Sequence, residues 1–367
     1  MISLENSFLG TSARSLLSSF ISVSISKTGK QTVLIPSFCC EAVYLAAFFA
    51  GASIILVDVN LENYSLDIAD LKAKINEDTV CVVVPHMFGY SAYSEDLLEL
   101  YGQHPSIIWI DDACQTYLVS PIHENLDLYN KLDYRLSSFH STKPLQGNMA
   151  LMESFTNDRF KNSIFQDAIN CADYTNELFI DHEIRRMQSS YFSLIVSSFR
   201  LGLGNIRIDE HIACLFKDAY TKVITPSVEC INESINNYVL SGRDGLEAPH
   251  LITEFIKTAP ESTAYRLTVP APEDRLWRLP IVFQDPMHQK DVSFTLRQNN
   301  INVSNHYHCL GRIFGDSTVH PATPQSSNLS DKIINIWFST MEEVRNASSI
   351  LTEYSKRLNV SSSGAPL

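Results

Sequence analysis

Positive charge is scarce in this sequence. Its 367 residues include 28 Lys and Arg against 41 Asp and Glu, which gives a formal net charge of −13. Such a balance repels polyanions, so it argues against nucleic acid and anionic membrane surfaces as partners. A small phosphorylated ligand stays compatible with it, because backbone amides in a local pocket bind phosphate whatever the overall charge.

The sequence also has no apolar run long enough to span a bilayer. The longest run, residues 42–57, is interrupted at Gly51 and falls short of the ~20 residues of a spanning helix, so we predict a buried helix, a turn and a buried strand. The first residues lack the pattern of a secretory signal. None of the eight cysteines forms a CxxC pair, and reduced thiols in a cytoplasmic protein are the simplest interpretation.

Short apolar runs alternate with helical patterns through the first half of the chain. Helical patterns begin at Ala13, near residue 66 and at Ser94; the apolar runs cover residues 33–35, 54–57, 81–84 and 107–110. Apolar strands separated by helices are typical of a mostly parallel sheet that is covered on both faces. The pattern therefore predicts a large α/β domain.

The length of the chain predicts a second domain, because single cores seldom organise so many residues. A helix predicted over residues 208–223 would leave the first domain, and residues 241–245 have the composition of a loop. We therefore expect a large domain over residues 1–240 and a small α+β domain over residues 241–367.

The predicted small domain has a strand at 279–283, a helix near 292–298 and an extended segment at 301–307. Its last helix would pack through Val344, Ala347 and Leu351, and we interpret residues 360–367 as a mobile tail.

Two segments of the large domain carry residues suited to catalysis. The strand that ends near residue 110 is followed by Asp111 and Asp112, at the strand end where parallel sheets bind ligands. About 30 residues later, Lys143 lies in a hydroxyl-rich stretch. A lone lysine of this kind is usually an exposed surface residue, and Asp112 could equally cap a helix.

Five segments in this order resemble the DegT/DnrJ/EryC/StrS family, the sugar-aminotransferase branch of the fold-type-I pyridoxal-phosphate enzymes. The resemblance implies an aspartate-aminotransferase-like large domain and pyridoxal 5′-phosphate as the cofactor. The segments are Gly10-Thr11-Ser12, Ile35-Pro36-Ser37-Phe38, Val84-Pro85-His86-Met87-Phe88-Gly89, Asp111-Asp112-Ala113-Cys114-Gln115 and Ser138-Phe139-His140-Ser141-Thr142-Lys143.

The resemblance also implies a role for each residue of the site. Lys143 would hold the cofactor covalently and shuttle a proton, and Asp112 would face the pyridine nitrogen and keep it protonated. Gln115 would bond the phenolic oxygen. The phosphate would take Thr11, Ser12 and Ser138, and Cys40 and Cys114 would contact the cofactor, with Cys40 in place of the family's stacking aromatic residue.

A homodimer with shared active sites is a further implication of the resemblance. The segment Gly204-Asn205-Ile206-Arg207 is similar to the family's Gly-x-Asn-x-Arg segment, whose asparagine reaches into the neighbouring subunit. A polar loop before a helix is the alternative reading. Four further residues are candidates for substrate contact: His86, His140, His306 and Tyr307. His306 and His308 could suggest a metal, but no third ligand has suitable spacing, so we expect no metal site.

Three functions remain open from the sequence. The first is an aminotransferase in nucleotide-sugar or natural-product biosynthesis, which moves an amino group from glutamate onto a keto group of a nucleotide-linked sugar or a related small ketone. The second is another pyridoxal-phosphate reaction, a dehydration or a carbon–carbon bond step, because residues 146–150 depart from the family's glycine-rich run after the lysine. The third is a non-catalytic cofactor-binding regulator.

Overall fold

The computed structural model describes residues 7–116, 131–140, 143, 147–175, 217, 219–243, 247–272, 274–305, 307–314 and 323–362. Its largest sheet has seven strands in the order β1-β7-β6-β5-β4-β2-β3. The strands are β1 (Ser7–Gly10), β2 (Thr32–Pro36), β3 (Ser53–Val57), β4 (Thr79–Pro85), β5 (Ile108–Asp112), β6 (Tyr134–His140) and β7 (Asn148–Ser154).

Five neighbouring strands of this sheet, β3, β2, β4, β5 and β6, run parallel to one another. Strand β7 lies antiparallel to both β6 and β1. The carboxyl ends of β1, β2, β5 and β6 therefore meet at one edge of the sheet. Chain segments that follow these strands are brought together there, as expected for an open parallel sheet.

Both faces of the sheet are buried. Val33, Ile35 and Ile110 pack on the side that includes helix α1 (Ala13–Thr28), whereas Leu34 and Trp109 pack on the opposite side. This alternation explains why the strands read as continuous apolar runs in the sequence. The predicted α/β fold with a mostly parallel sheet is confirmed.

Helix α1 forms where the sequence predicted it. Leu16, Phe20 and Ile21 recur on one face and are fully buried. The helix ends at Gly29, which has a left-handed φ of 70° and donates its N–H to the carbonyl of Ile25 at 2.9 Å. The helix that begins after Ser94 is also confirmed, and the Ser94 hydroxyl accepts the N–H of Leu97 as an N-cap.

The other helices cover the sheet or belong to the C-terminal part. They are α2 (Glu41–Phe49), α3 (Ile68–Lys74), α4 (Glu95–Gln103), α5 (Arg159–Cys171), α6 (Val228–Arg243), α7 (Glu247–Thr258), α8 (Pro286–Gln298), α9 (Leu310–Phe314), α10 (Pro324–Ser330) and α11 (Met341–Ser362). Among the described residues, no helix is both long and apolar enough to cross a membrane.

A second, antiparallel sheet lies in the C-terminal part of the chain. Its order is β10-β11-β13-β12, from β10 (Tyr265–Leu267), β11 (Leu279–Phe283), β12 (Asn302–Ser304) and β13 (Ile333–Trp337). The strand predicted at 279–283 and the helix near 292–298 are present. Val344, Ala347 and Leu351 of α11 are fully buried, as predicted. The domain boundary near residue 240 stays a prediction.

Three local predictions are wrong. The predicted helix over residues 208–223 does not reach Val223, which lies in β9 (Lys222–Ile224) and pairs in parallel with β8 (Asp173–Thr175). Residues 241–243 belong to α6 rather than to a loop, and residues 360–362 belong to α11 rather than to a mobile tail. At Val223, the parallel pairing with β8 outweighs the helical pattern of the sequence.

Candidate active site

A cavity of about 190 Å³ opens at the edge where the strand ends meet. Its wall includes residues that follow β1, β2 and β5 together with residues on or after β6. Eight of the residues proposed from the sequence lie around it: Thr11, Ser12, Cys40, Asp112, Cys114, Gln115, Ser138 and Lys143. Segments more than 100 residues apart in the chain therefore converge on one space.

One end of the cavity has the features of an anion site. It lies at the N-terminus of α1, where Ser12 makes no side-chain cap and no acidic residue occupies the first turn. The hydroxyl oxygen of Thr11 is buried and has no hydrogen-bond partner among the described residues. Free amides and the helix dipole favour an anion at such a position.

Arg14 adds a positive charge to the same end. It lines the cavity, and its Nε donates to the hydroxyl of Ser12 at 2.8 Å. A cation is unfavourable in the first turn of a helix unless an anion lies beside it. Because the Ser12 oxygen accepts from Arg14, its hydroxyl proton can be donated to a ligand in the cavity.

Asp112 brings a carboxylate to the middle of the cavity. It is the last residue of β5 and is 6% exposed. One of its oxygens, Oδ1, accepts the N–H of Cys114 at 3.1 Å. This bond orients the carboxylate and leaves Oδ2 available to a ligand.

Lys143 lies on the same wall, with its ammonium nitrogen 5.7 Å from the centre of the Trp277 ring. Burial lowers the pKa of Lys143, but Tyr307, Cys40, Cys114 and Asp112 outweigh it, so the pKa is raised above its ordinary value. In the cofactor-free protein, the ε-amine is therefore protonated at neutral pH.

Two thiols, those of Cys40 and Cys114, lie on the cavity wall. Burial raises the pKa of Cys40 to about 12 and that of Cys114 well above its ordinary value. Both thiols therefore stay protonated near neutral pH and offer small apolar surfaces instead of nucleophiles.

Gln115 lines the cavity, whereas His86 lies behind its wall. The amide oxygen of Gln115 accepts the N–H of Phe88 at 3.2 Å. His86 is only 1% exposed: its Nδ1 accepts the N–H of Ala92, and its Nε2 lies 3.3 Å from Oδ1 of Asp111. Because Nδ1 accepts a hydrogen bond from Ala92, Nε2 is the ring nitrogen placed to donate to Asp111. This side chain does not lie on the wall of the cavity.

The remaining predicted residues lie elsewhere or outside the described structure. Tyr307 is buried against the rings of Phe38 and Phe88 and interacts electrostatically with Lys143. Burial raises its pKa to about 12. His140 is the last residue of β6, but its side chain is outside the described part, as are Asn205 and His306. Among the described residues, no three His, Cys, Asp or Glu side chains form a metal-binding group.

Sequence reasoning missed three residues near this site: Arg14, Trp277 and Arg278. Arg14 lies in the first helical turn, where a charged residue is usually solvated. Trp277 and Arg278 are more than 130 residues beyond Lys143, and only the tertiary structure brings that segment close. The one available signal was the position of Arg14, two residues after the predicted phosphate-binding turn.

Gly89 joins this segment to the large sheet. Its carbonyl accepts the N–H of Arg275 at 2.8 Å, and the carbonyl of Phe88 accepts the N–H of Trp277 at 3.1 Å. Gly89 has a φ of +96°, and a Cβ there would lie 2.1 Å from the carbonyl oxygen of Arg275. A side chain at this position would push away the segment that holds Trp277 beside Lys143.

We therefore expect Gly89→Ala to lower the free energy of unfolding by at least about 2 kcal/mol. The urea midpoint, followed by circular dichroism, measures the loss. Gly51→Ala is the matched control, because Gly51 also has a positive φ, +81°, but nothing lies within 4 Å of its Cβ position. Equal losses in the two variants would contradict the role of the close approach.

Known proteins of the same architecture cover nearly the whole chain. Helicobacter pylori PseC, an aminotransferase involved in the biosynthesis of pseudoaminic acid, is 13% identical with a TM-score of 0.68, over 96% of this chain and 87% of that one. The sugar aminotransferase CalS13 from Micromonospora echinospora is 15% identical with a TM-score of 0.65, over 95% and 87%.

A third solved structure of the same fold is named for a different reaction. The E. coli GDP-4-keto-6-deoxy-D-mannose-3-dehydratase with bound hydrated PLP is 10% identical with a TM-score of 0.65, over 94% of this chain and 87% of that one. At such identities these likenesses show the fold. No curated protein sequence matches the chain.

The family comparison covers the part of the chain that holds most of the cavity. Residues 9–151 match the model of the DegT/DnrJ/EryC1/StrS aminotransferase family. This range runs from the anion site at the start of α1, through Asp112, to Lys143 and the strand that follows it. By this match, the resemblance to this family seen in the sequence motifs is confirmed over residues 9–151.

Proposed function

We propose that this protein is a pyridoxal-phosphate-dependent aminotransferase that moves an amino group from glutamate onto a keto group of a nucleotide-linked sugar or a related small ketone. The observation that carries the proposal is the cavity itself. It combines a lysine amine, a buried carboxylate and an anion site at a helix N-terminus. These are the three groups that a phosphorylated pyridine aldehyde requires.

The residues of the cavity fit this cofactor. The unpartnered hydroxyl of Thr11 and the uncapped start of α1 suit a phosphate, and the charge of Arg14 helps to neutralise it. Ser12 and Ser138 supply further hydroxyls on the same wall. The available oxygen of Asp112 suits the ring nitrogen, and the amine of Lys143 suits the aldehyde.

When bound, the cofactor supplies an aldehyde that condenses with amines and a ring that accepts electrons from the substrate carbon. Lys143 would hold the cofactor through its ε-amine, and the same amine would move a proton from the donor carbon and to the product carbon. The carboxylate of Asp112 keeps the ring nitrogen protonated. Protonated Cys40 and Cys114 pack against the ring without competing for the aldehyde.

The names of two relatives support the proposed substrate class. Two solved structures of the same fold are named as an aminotransferase of pseudoaminic acid biosynthesis and as a sugar aminotransferase. We therefore propose a keto sugar as acceptor and glutamate as donor. A homodimer in which Asn205 reaches the partner's site stays a prediction of the sequence, as does a cytoplasmic location.

Glutamate alone tests the amino transfer. The cofactor-loaded protein is expected to release one 2-oxoglutarate for each site and to lose the near-ultraviolet and visible absorbance of the bound aldehyde form. Addition of a keto sugar should then restore the absorbance and yield an amino sugar. If the absorbance persists with glutamate and with every other common amino donor while the cofactor stays bound, amino transfer is wrong.

Dehydration is the second candidate function. One relative of the same fold is named as a dehydratase of a keto sugar and binds PLP, and residues 146–150 depart from the family's usual loop. The same experiment separates the two functions. A dehydratase would convert a deoxygenable keto sugar with loss of water, and no amino group would remain in the sugar product.

A further inference from the structure

Arg278 is held between two tryptophans in the C-terminal part of the chain. The carbon at the centre of its guanidinium, Cζ, lies 4.0 Å from the centre of the Trp277 ring and 4.1 Å from that of Trp337. Its Nη1 donates to the amide oxygen of Asn335 at 3.1 Å. Asn335 is itself fixed, because its Nδ2 donates to the carbonyl of Ser304. Ring contacts at this distance leave the N–H groups at the rim of the guanidinium for hydrogen bonds.

The charge of Arg278 is not balanced by a carboxylate of the described structure. No described residue forms an ion pair with it, and its Nε is buried without a hydrogen-bond partner. The indole Nε1 of Trp277 is also buried, in a side chain that is 8% exposed, and no described residue accepts a hydrogen bond from it. Burial lowers the pKa of Arg278, although a guanidinium keeps its charge. Buried donors without partners beside a partly buried cation are costly unless an anion binds.

This cluster adjoins the amine of Lys143. Lys143 and Arg278 lie against the same Trp277 ring, at 5.7 Å and 4.0 Å from its centre. Tyr307 interacts electrostatically with both cations. An amino acid carries its carboxylate one carbon away from its amino nitrogen. A donor whose nitrogen is at the reacting position therefore has its carboxylate close to the Trp277 ring.

We infer that Arg278, together with Nε1 of Trp277, binds the carboxylate of the amino donor. The inference rests on the proposed aminotransferase function, which supplies the donor. A planar carboxylate matches the rim of a guanidinium, and Trp277 adds a third donor. The diphosphate of a nucleotide-linked sugar is a second source of anionic oxygens, but the sugar ring separates it from the keto carbon that must reach Lys143.

Tryptophan fluorescence gives a readout that needs no turnover. The chain has three tryptophans, and the third, Trp109, is fully buried in the large sheet. Glutarate has the carboxylates of glutamate but no amine, so it binds without reacting. Titration of the cofactor-loaded protein with glutarate is expected to change the fluorescence saturably. Arg278→Leu should bind glutarate at least about tenfold more weakly, as expected for the loss of hydrogen bonds to a charged group.

Two further variants make the result specific. Arg278→Lys keeps the charge but loses the planar rim, and it should bind glutarate with intermediate affinity. Arg297→Leu, which removes an exposed arginine of α8, should bind like the wild type. In turnover, Arg278→Leu should raise the KM for glutamate more than it lowers kcat. It should leave the KM for butylamine, an amine without a carboxylate, unchanged. Circular dichroism shows whether each variant is folded.

The possible failures can be told apart. The inference is overturned if folded Arg278→Leu binds glutarate as tightly as the wild type does. It is also overturned if inorganic diphosphate binds at Arg278 more tightly than glutarate. Turnover of glutamate by a wild type that shows no glutarate binding also overturns it, while the proposed function stands. Arg278-dependent glutarate binding without any amino transfer supports the carboxylate site and removes the proposed function.

Discussion

Borohydride reduction of the cofactor-loaded protein is expected to fix the cofactor to Lys143 and to no other lysine. Lys143 lies on the cavity wall with Asp112 and the anion site, so its amine is placed to reach the aldehyde. Peptide mass spectrometry locates the adduct. Lys143→Ala should form no adduct and should lose activity by several orders of magnitude, since each tenfold loss corresponds to about 1.4 kcal/mol of lost transition-state stabilisation.

Lys143→Arg separates the charge of this residue from its chemistry. The guanidinium keeps a positive charge near Asp112 but cannot bind the aldehyde at neutral pH. It should therefore retain the cofactor more tightly than Lys143→Ala and be equally inactive. An adduct on another lysine of the wild type, or none, would rule out the cofactor assignment.

The attachment step should also depend on pH. The neighbouring groups raise the pKa of Lys143, so the reactive free amine is the minor form at pH 7 in the cofactor-free protein. Its fraction grows as the pH rises toward the pKa. Attachment of the cofactor to the cofactor-free protein should therefore become faster from pH 7 to pH 9, which stopped-flow absorbance can measure.

Asp112→Asn is expected to bind the cofactor and still lose several orders of magnitude in kcat. The asparagine keeps the size of the side chain but removes the negative charge that holds the proton on the ring nitrogen. An opposite charge at contact shifts a pKa by ~1–3 units, so the ring nitrogen should lose its proton near neutral pH. Single-turnover absorbance with glutamate measures the rate, and reduction at Lys143 confirms that the cofactor is bound.

The neighbouring residue provides the control for this prediction. Asp111 is as deeply buried, but it faces His86 and Tyr93 instead of the cavity. Asp111→Asn should therefore lower stability and leave the single-turnover rate of the folded protein much less affected. Equal losses of the single-turnover rate in Asp111→Asn and Asp112→Asn would contradict a specific role for the Asp112 charge in holding the proton on the ring nitrogen.

The sequence determined the large sheet and the location of most of the site. Continuous apolar runs specify strands that are buried on both faces, because only such strands need apolar side chains at every position. Once the strands are parallel, the residues after them must share one edge, which places Asp112, Cys40 and Lys143 together without further information. Ser94 and Gly29 mark helix ends because their side-chain and backbone chemistry is local.

Composition failed where non-local contacts set the structure. Strand β9 has only three residues, and its pairing with β8 joins positions about 50 residues apart in the chain. No periodic pattern can be recognised in so short a segment. The polar residues 241–243 read as a loop, but they continue α6.

Only the tertiary structure decided what surrounds Lys143. The left-handed Gly89 lets the backbone of residues 275–277 approach to hydrogen-bond distance, and this contact sets Trp277 over the lysine. Antiparallel pairing of β11 with β13 then puts Asn335 and Trp337 beside Arg278. The sequence shows an ordinary arginine beside a tryptophan. Its contacts with Trp337 and Asn335 join residues that are distant in the chain. They form only when β11 pairs with β13.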